Sequence, residues 1–296
     1  MKEWQKSCPS RSFIYKLNII LTFSLKIFYI SYTFVGCSLC LLGCFGVTIA
    51  IMNDSVIIIP TYNEKENIER MIDALMALEH GFDVLVVDDG SPDGTADIVK
   101  KTMEQYPGRV HIIERSGKLG LGTAYVTGFK WSLEKGYEYI FEMDADFSHD
   151  PKDVPLLYEA CAKEGYDLSV GSRYVTGVNV VNWPMGRVLM SYFASKYVRF
   201  ITRLPVCDTT AGFNCYRRKV LETIDLDNIR FKGYAFQIEM KFTTHKCGFK
   251  IKEVPVIFVN RVLGTSKMSG GIFSEALFGV IKLKVGSWFR KYPKSK

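Results

Sequence analysis

From residue 55 onward, short apolar runs alternate with longer segments in which apolar positions recur every three or four residues. Residues 56–60 read as a buried strand, and Ile68, Met71, Ile72, Leu75 and Leu78 then fall along one face of a helix. The alternation continues with a strand at 84–87, a helix from about Thr95, a strand at 110–113 and a helix from about Gly122. A strand at 139–143, a helix at 154–163 and a strand at 168–170 follow. Repeated strand–helix units predict an α/β fold with a mixed, mostly parallel sheet and helices on both faces. In such sheets ligands gather beyond the carboxyl ends of the strands. Three polar clusters stand where apolar strands stop: Thr61-Tyr62-Asn63-Glu64, Asp88-Asp89 and Asp144-Ala145-Asp146.

Charge is spread unevenly along the chain. The net formal charge is +7, yet residues 1–51 hold five Lys/Arg against Glu3, and residues 272–296 hold six against Glu275. The stretch between is slightly negative, so the basic excess sits at the two ends. That pattern suits an anionic membrane surface rather than a basic groove for nucleic acid, and no nucleic-acid-binding motif is present. Two segments add to this picture. Residues 185–204 predict a helix with apolar Val188, Leu189, Tyr192, Phe193 and Tyr197 and basic Arg187, Lys196, Arg199 and Arg203. The C-terminal stretch 272–296 interleaves Phe273, Leu277, Phe278, Ile281, Trp288 and Phe289 with cations, as an interfacial helix does. The eight cysteines show no metal-ligand spacing and are expected as free thiols.

The chemistry centres on Asp144 and Asp146. A divalent cation that bridges a diphosphate needs a few hard oxygen ligands and open positions for phosphate and water. Two carboxylates two residues apart at a strand end can supply these, with Ser148 as a further oxygen. His149 could touch the site but is expected instead at the surface or just behind the metal ligands. At the next cluster, Pro92, Gly94 and Thr95 shape a turn and a helix start, while a strand-tip carboxylate can accept N–H groups of a nucleobase. The glycines at Gly117, Gly120 and Gly122 suggest a phosphate loop but match neither dinucleotide nor P-loop templates.

Taken in order, Pro60-Thr61-Tyr62-Asn63-Glu64, Val87-Asp88-Asp89-Gly90-Ser91, Asp144-Ala145-Asp146 and Gly171-Ser172-Arg173-Tyr174 resemble family 2 glycosyltransferases of the GT-A fold. Residues 118–125 (KLGLGTAY), Asn182-Trp183-Pro184 and residues 208–213 (DTTAGF) narrow the resemblance to dolichol-phosphate and polyprenol-monophosphate mannosyltransferases. It covers residues 52–270. The resemblance implies that Pro60, Tyr62, Glu64, Val87 and Asp89 cradle guanosine. Asp144, Ala145 and Asp146 would meet the diphosphate, ribose and Mg2+ or Mn2+, with Ser148 beside the metal. Arg173, Arg187, Arg261 and Lys267 would meet phosphate or close over the donor, so Asp146, Arg173 and Arg187 are the expected catalytic residues.

The implied reaction is inverting transfer of mannose from GDP-mannose to a polyprenyl phosphate, which needs no protein base because the acceptor is already ionised. A related UDP-glucose enzyme and a catalytically silent binding subunit are the alternatives. The uncharged stretch 27–52 bears on where this happens, because it is long enough to cross a bilayer. Lys2, Lys6, Arg11, Lys16 and Lys26 precede it, so the positive-inside rule would turn the enzyme outward, away from its cytoplasmic donor. Met52 as the natural start, with residues 1–51 as translated upstream sequence, resolves the conflict; a real anchor whose orientation departs from the charge rule is the alternative. The expected location is the cytoplasmic face of a membrane.

Overall fold

The computed structural model describes residues 53–260 other than Tyr234, residues 271–294 (side chains from Phe278), and the backbone of two residue pairs nearer the N-terminus. The chain divides into two compact units, Met1–Met52 and Asn53–Lys296. In the first, Ile19–Ile20 and Tyr29–Ile30 pair as antiparallel strands. The rest of the 27–52 stretch, and with it the expected membrane helix, lies outside the described residues. No helix among the described residues is long and apolar enough to cross a membrane.

The second unit opens with β1 (Ser55–Thr61), α1 (Ile68–Met76), β2 (Asp83–Asp88), α2 (Thr95–Gln105), β3 (Val110–Glu114) and α3 (Leu121–Lys135). It continues with β4 (Tyr139–Glu142), α4 (Val154–Ala162), β5 (Leu168–Ser172), β6 (Val180–Val181) and α5 (Met185–Thr202). The last third holds β7 (Asn214–Arg217), α6 (Arg218–Thr223), α7 (Ala235–Lys246), β8 (Ile251–Pro255), β9 (Phe258–Val259) and α8 (Gly271–Phe289). Seven strands form one sheet in the order β8-β5-β7-β4-β1-β2-β3. All its pairings are parallel except those of β7, which runs antiparallel to both β4 and β5. The small strands β6 and β9 pair separately.

The continuous apolar strands are explained by burial on both faces, where successive side chains point opposite ways. Ile57, Ile59, Val84 and Val86 pack with Ile68, Met71 and Ile72 of α1, Val99 of α2 and Leu157 of α4. Their neighbours Val56, Ile58, Leu85 and Val87 pack with Ala124, Tyr125 and Phe129 of α3 and Phe236 and Met240 of α7. Two glycines set how closely α3 lies on the sheet. A Cβ on Gly128 would come within 2.7 Å of the Ile58 side chain, and one on Gly122 within 2.7 Å of the Phe236 ring. Gly122 of the suspected phosphate loop therefore serves helix packing.

The helices α5 and α8 carry apolar residues on more than one side. On α8, Val280 and Leu283 pack against Ile238 and Phe242 of α7 and Val198 of α5. Phe278, Ile281, Val285, Trp288 and Phe289 of α8 remain exposed, as do Met185, Leu189, Phe193 and Phe200 of α5. The C-terminal helix thus docks on the body with one face and presents apolar residues with another.

Candidate active site

The strands β4, β1 and β2 are adjacent and parallel, with Ile58 opposite Glu142 and Thr61 opposite Asp88. Their carboxyl ends therefore bring Asp144, the Tyr62–Glu64 turn and Asp89 to one edge. Asp144 is half-buried, while Ala145 and Asp146 are buried. The Tyr125 hydroxyl of α3 donates to Asp144 Oδ1 at 3.4 Å. The Ser148 backbone N–H donates to Asp146 Oδ1 at 3.0 Å. Between them Phe147 takes a left-handed φ of 58°, a conformation that costs about 1 kcal/mol or more in a residue with a Cβ. The turn it makes aims Ser148 back at the carboxylate, so the structure places Ser148 beside the pair through its backbone.

The donor set fits the expected ion. Among the described residues no three His, Cys, Asp or Glu side chains converge to form a complete metal cage. Two carboxylates supplying hard oxygens suit Mg2+ or Mn2+ completed by phosphate oxygens and water, rather than a closed structural site.

At the nucleotide end, the two acids of the β2 tip divide their work. Asp88 accepts from the Thr61 hydroxyl at 2.8 Å, the Ser91 N–H at 2.8 Å and the Ser91 hydroxyl at 2.6 Å. It is a structural clamp between β1 and the following turn. Asp89 forms a buried ion pair with Arg115 and accepts the Leu119 N–H at 3.3 Å. Arg115 also donates to the Thr123 hydroxyl at 2.8 Å, tying Asp89 to the start of α3. A carboxylate has about four acceptor positions, so Asp89 retains capacity for a ligand. Val87 is buried, Pro60 is half-buried at the end of β1, and Lys118 lies over the Tyr62 ring at 5.0 Å. Glu64 accepts from Asn67 Nδ2 at 3.2 Å.

Among the expected phosphate ligands, Arg173 departs furthest from expectation. Its Nε and Nη2 each donate to Asp208 at 2.6 Å, its backbone N–H to the same carboxylate at 3.0 Å, and Nη2 also to Thr210 at 2.9 Å. Burial alone would raise the Asp208 carboxyl, but the Arg173 charge and hydrogen bonds outweigh it and hold the group below its ordinary value. Trp183, Tyr174 and Phe258 enclose the guanidinium. One edge of its fork is thus held by a buried aspartate. Arg187, in the first turn of α5, stacks over the Trp183 ring at 4.0 Å and donates to Asn260 at 2.9 Å. Arg261 and Lys267 lie outside the described residues. His149 is not at the surface. It is buried between Phe213 and Phe258, with ring centroids 4.9 Å from each, and burial together with the Arg173 charge lowers it to about 4.

Beneath Asp144 lies a polar layer that the sequence did not reveal. Asn214 of β7 donates to Glu142 at 2.6 Å and to Gln237 Oε1 at 2.9 Å. Lys241 donates to the Ala211 carbonyl at 2.6 Å and to Gln237 Oε1 at 3.4 Å. Burial raises Glu142 and lowers Lys241, drawing both toward neutrality, while their mutual attraction opposes the shift. The available signal was Gln237 and Lys241, one helical turn apart and so on one face of a stretch whose neighbours Phe236, Ile238, Met240 and Phe242 are apolar.

The sequence model of glycosyl transferase family 2 matches residues 56–225. The chain is 45% identical over 234 residues to polyprenol monophosphomannose synthase of Mycolicibacterium smegmatis, covering 79% of this chain and 86% of that relative. It is 48% identical over 225 residues to undecaprenyl-phosphate mannosyltransferase of Micrococcus luteus, covering 76% and 91%. A mannosyltransferase of Pyrobaculum calidifontis, solved with GDP-Man and Mn2+, superposes with a TM-score of 0.53 at 18% identity, over 81% of this chain and 66% of that one. This last likeness is one of fold, the GT-A arrangement. With the family's model spanning more than half of its length and two relatives alike over three quarters of it, the chain belongs to glycosyl transferase family 2.

Proposed function

We propose that the protein transfers mannose from GDP-mannose to a polyprenyl phosphate at a membrane surface, inverting the anomeric configuration. The observation that carries this reading is the placement of Asp144 and Asp146 at the end of β4, two strands from Asp89 at the end of β2. It occurs in a chain 45% and 48% identical to two enzymes named for mannosyl transfer to polyprenyl phosphates.

In this reading Pro60, Tyr62, Glu64 and Val87 border the guanosine, and the remaining acceptor positions of Asp89 take its N–H groups. Asp144 and Asp146 hold Mg2+ or Mn2+, with Ala145 and Ser148 alongside. When bound, the ion supplies positive charge to the diphosphate and stabilises it as a leaving group. Arg187, braced on Trp183 and Asn260, directs its guanidinium to phosphate. An oxygen of the lipid phosphate attacks the anomeric carbon as the bond from that carbon to the β-phosphate oxygen breaks. GDP leaves with the bonding electrons. The acceptor carries no proton that must be removed, and no serine–histidine–aspartate set is required. Arg173 acts by shaping the site through Asp208. The exposed apolar residues of α5 and α8, with Lys282 and Lys291 nearby, rest on the cytoplasmic leaflet that carries the acceptor.

The test is transfer by the full chain in detergent, with labelled GDP-mannose or UDP-glucose, Mg2+ or Mn2+, and a polyprenyl phosphate. Label entering the lipid phase from GDP-mannose is expected. Label from UDP-glucose alone would overturn the mannose assignment.

A further inference from the structure

The segment before α7 and the last turns of α8 enclose a cleft of about 580 Å³ that the reading above leaves unused. Arg230, Lys282 and Arg290 line it, together with Phe231, Phe278 and Tyr292. Among the described residues around it Glu239 is the one acid, and its side chain is fully buried. One Glu239 oxygen accepts the backbone N–H groups of Arg230 and Phe231 at 2.8 and 3.0 Å. The other faces Arg290 Nη1 at 3.9 Å. Arg290 thus has its counter-charge, whereas Arg230 and Lys282 are exposed and make no ion pair among the described residues. Gly286 lines the cleft near Arg230, and a Cβ added there would still lie 3.8 Å from Arg230 Nη1, so the helix leaves space before that guanidinium. Two cations without a counter-charge therefore share one concave site with a third.

The surroundings say what kind of anion fits. Lys282, Gly286 and Arg290 recur every four residues along one stripe of α8, and the Arg290 N–H still donates to the Gly286 carbonyl at 3.2 Å. Phe278, Ile281, Val285 and Trp288, three or four residues apart, form the adjoining stripe and are exposed. Phe278 belongs to both, since it lines the cleft and is 70% exposed. An apolar stripe laid into a membrane surface brings the neighbouring cations to the depth of the lipid headgroups. A guanidinium there presents a donor fork matched to phosphate oxygens. A soluble anion would make no use of the apolar rim. Resting on the membrane contact proposed above, we propose that this cleft seats the phosphate of an anionic phospholipid. Arg230 and Lys282 bond its oxygens, and the acyl chains run past Phe278. None of Asp89, Asp144 and Asp146 lines the cleft, so the seated lipid is a ligand apart from the acceptor.

The experiment titrates the full chain in neutral detergent with dihexanoylphosphatidylglycerol, dihexanoylphosphatidylcholine or inorganic phosphate, followed by calorimetry. Phosphatidylglycerol is expected to saturate at one per chain and to bind about tenfold or more tighter than the other two. R230Q/K282Q should weaken it by roughly thirtyfold, about fivefold for each cation. Its melting temperature should stay in place, because neither side chain has an ionic partner to lose. K291Q/K294Q removes the same charge from exposed positions outside the cleft and should leave binding within about twofold. Equal losses in the two double variants would mean diffuse attraction, and inorganic phosphate binding as tightly as the lipid would mean a site for a free anion. Either result overturns the proposal. So does competitive displacement of phosphatidylglycerol by a short polyprenyl phosphate, which would make the cleft the acceptor's seat. Sedimentation with phosphatidylglycerol vesicles keeps the two readings apart. A wild type that sediments with them yet binds no short-chain lipid sinks the cleft alone; one that does neither sinks the membrane contact as well.

Discussion

Replacing Arg173 by Met tests whether this arginine works through Asp208 or by reaching the substrate. The side chains of Arg173 and Asp208 are 9% and 0% exposed, and two of their hydrogen bonds are 2.6 Å long. Met keeps the length of the side chain but leaves the buried carboxylate with the backbone N–H of residue 173 at 3.0 Å and Thr210 at 3.4 Å. Removing one member of a buried pair costs about 3–5 kcal/mol. At about 2–4 °C per kcal/mol for a body of this size, the melting temperature of R173M should fall by roughly 10 °C. The double variant R173M/D208L removes both charges and should recover most of the loss. The sign of the pH dependence follows from Asp208, whose folded value lies below the ordinary 3.8. The pair therefore contributes fully above that ordinary value and is lost as pH falls through the folded one. The gap between wild type and R173M should be widest near neutral pH and close in acid, where protonation removes the charge the arginine balances. Thermal melts followed by circular dichroism from neutral to acid pH measure all of this. An R173M protein that melts with the wild type yet transfers no sugar would refute the reasoning and return Arg173 to the substrate.

Three further outcomes follow from the site and its surroundings. Asp146→Asn should keep the fold and lose turnover, and EDTA should abolish wild-type transfer; activity that survives EDTA would remove the metal from the mechanism. Tyr125→Phe keeps the ring stacked on Phe236 and deletes only the 3.4 Å bond to Asp144. It should shift the Mn2+ dependence of activity by less than about tenfold, and an unchanged Mn2+ titration would show that the hydroxyl does not steady Asp144. Phe200 and Trp288 are 83% and 69% exposed. Changing both to Asp should leave the melting temperature in place and slow transfer to a long polyprenyl phosphate in vesicles, with little effect on a short water-soluble acceptor. Equal rates on the vesicle acceptor would exclude these helices as the membrane contact.

Much of the sheet was legible because its strands are buried on both faces and read as unbroken apolar runs. The expected strand at 56–60 lies within β1 (Ser55–Thr61), the one at 110–113 within β3, and the helix expected from Thr95 begins there. The strand β7 was missed because Asn214 and Arg217 bracket only two core residues, Cys215 and Tyr216. The helix α7 was missed for the opposite reason: it is buried nearly all round, Gln237, Glu239 and Lys241 included, so no polar face marks it.

What the sequence determined by itself was local and periodic: where strands stop, and hence that Asp89, Asp144 and Asp146 stand at strand ends. Which of those polar groups face a ligand and which face each other was decided by the tertiary structure. Asp88 and Asp89 are neighbours in the chain, yet one clamps Thr61 and Ser91 while the other pairs with Arg115. Arg173 meets Asp208, 35 residues away, and Asn214 of β7 links Glu142 of β4 to Gln237 of α7. A charge buried by folding must find its partner among groups that the chain brings together only at long range. No spacing within a motif encodes that choice.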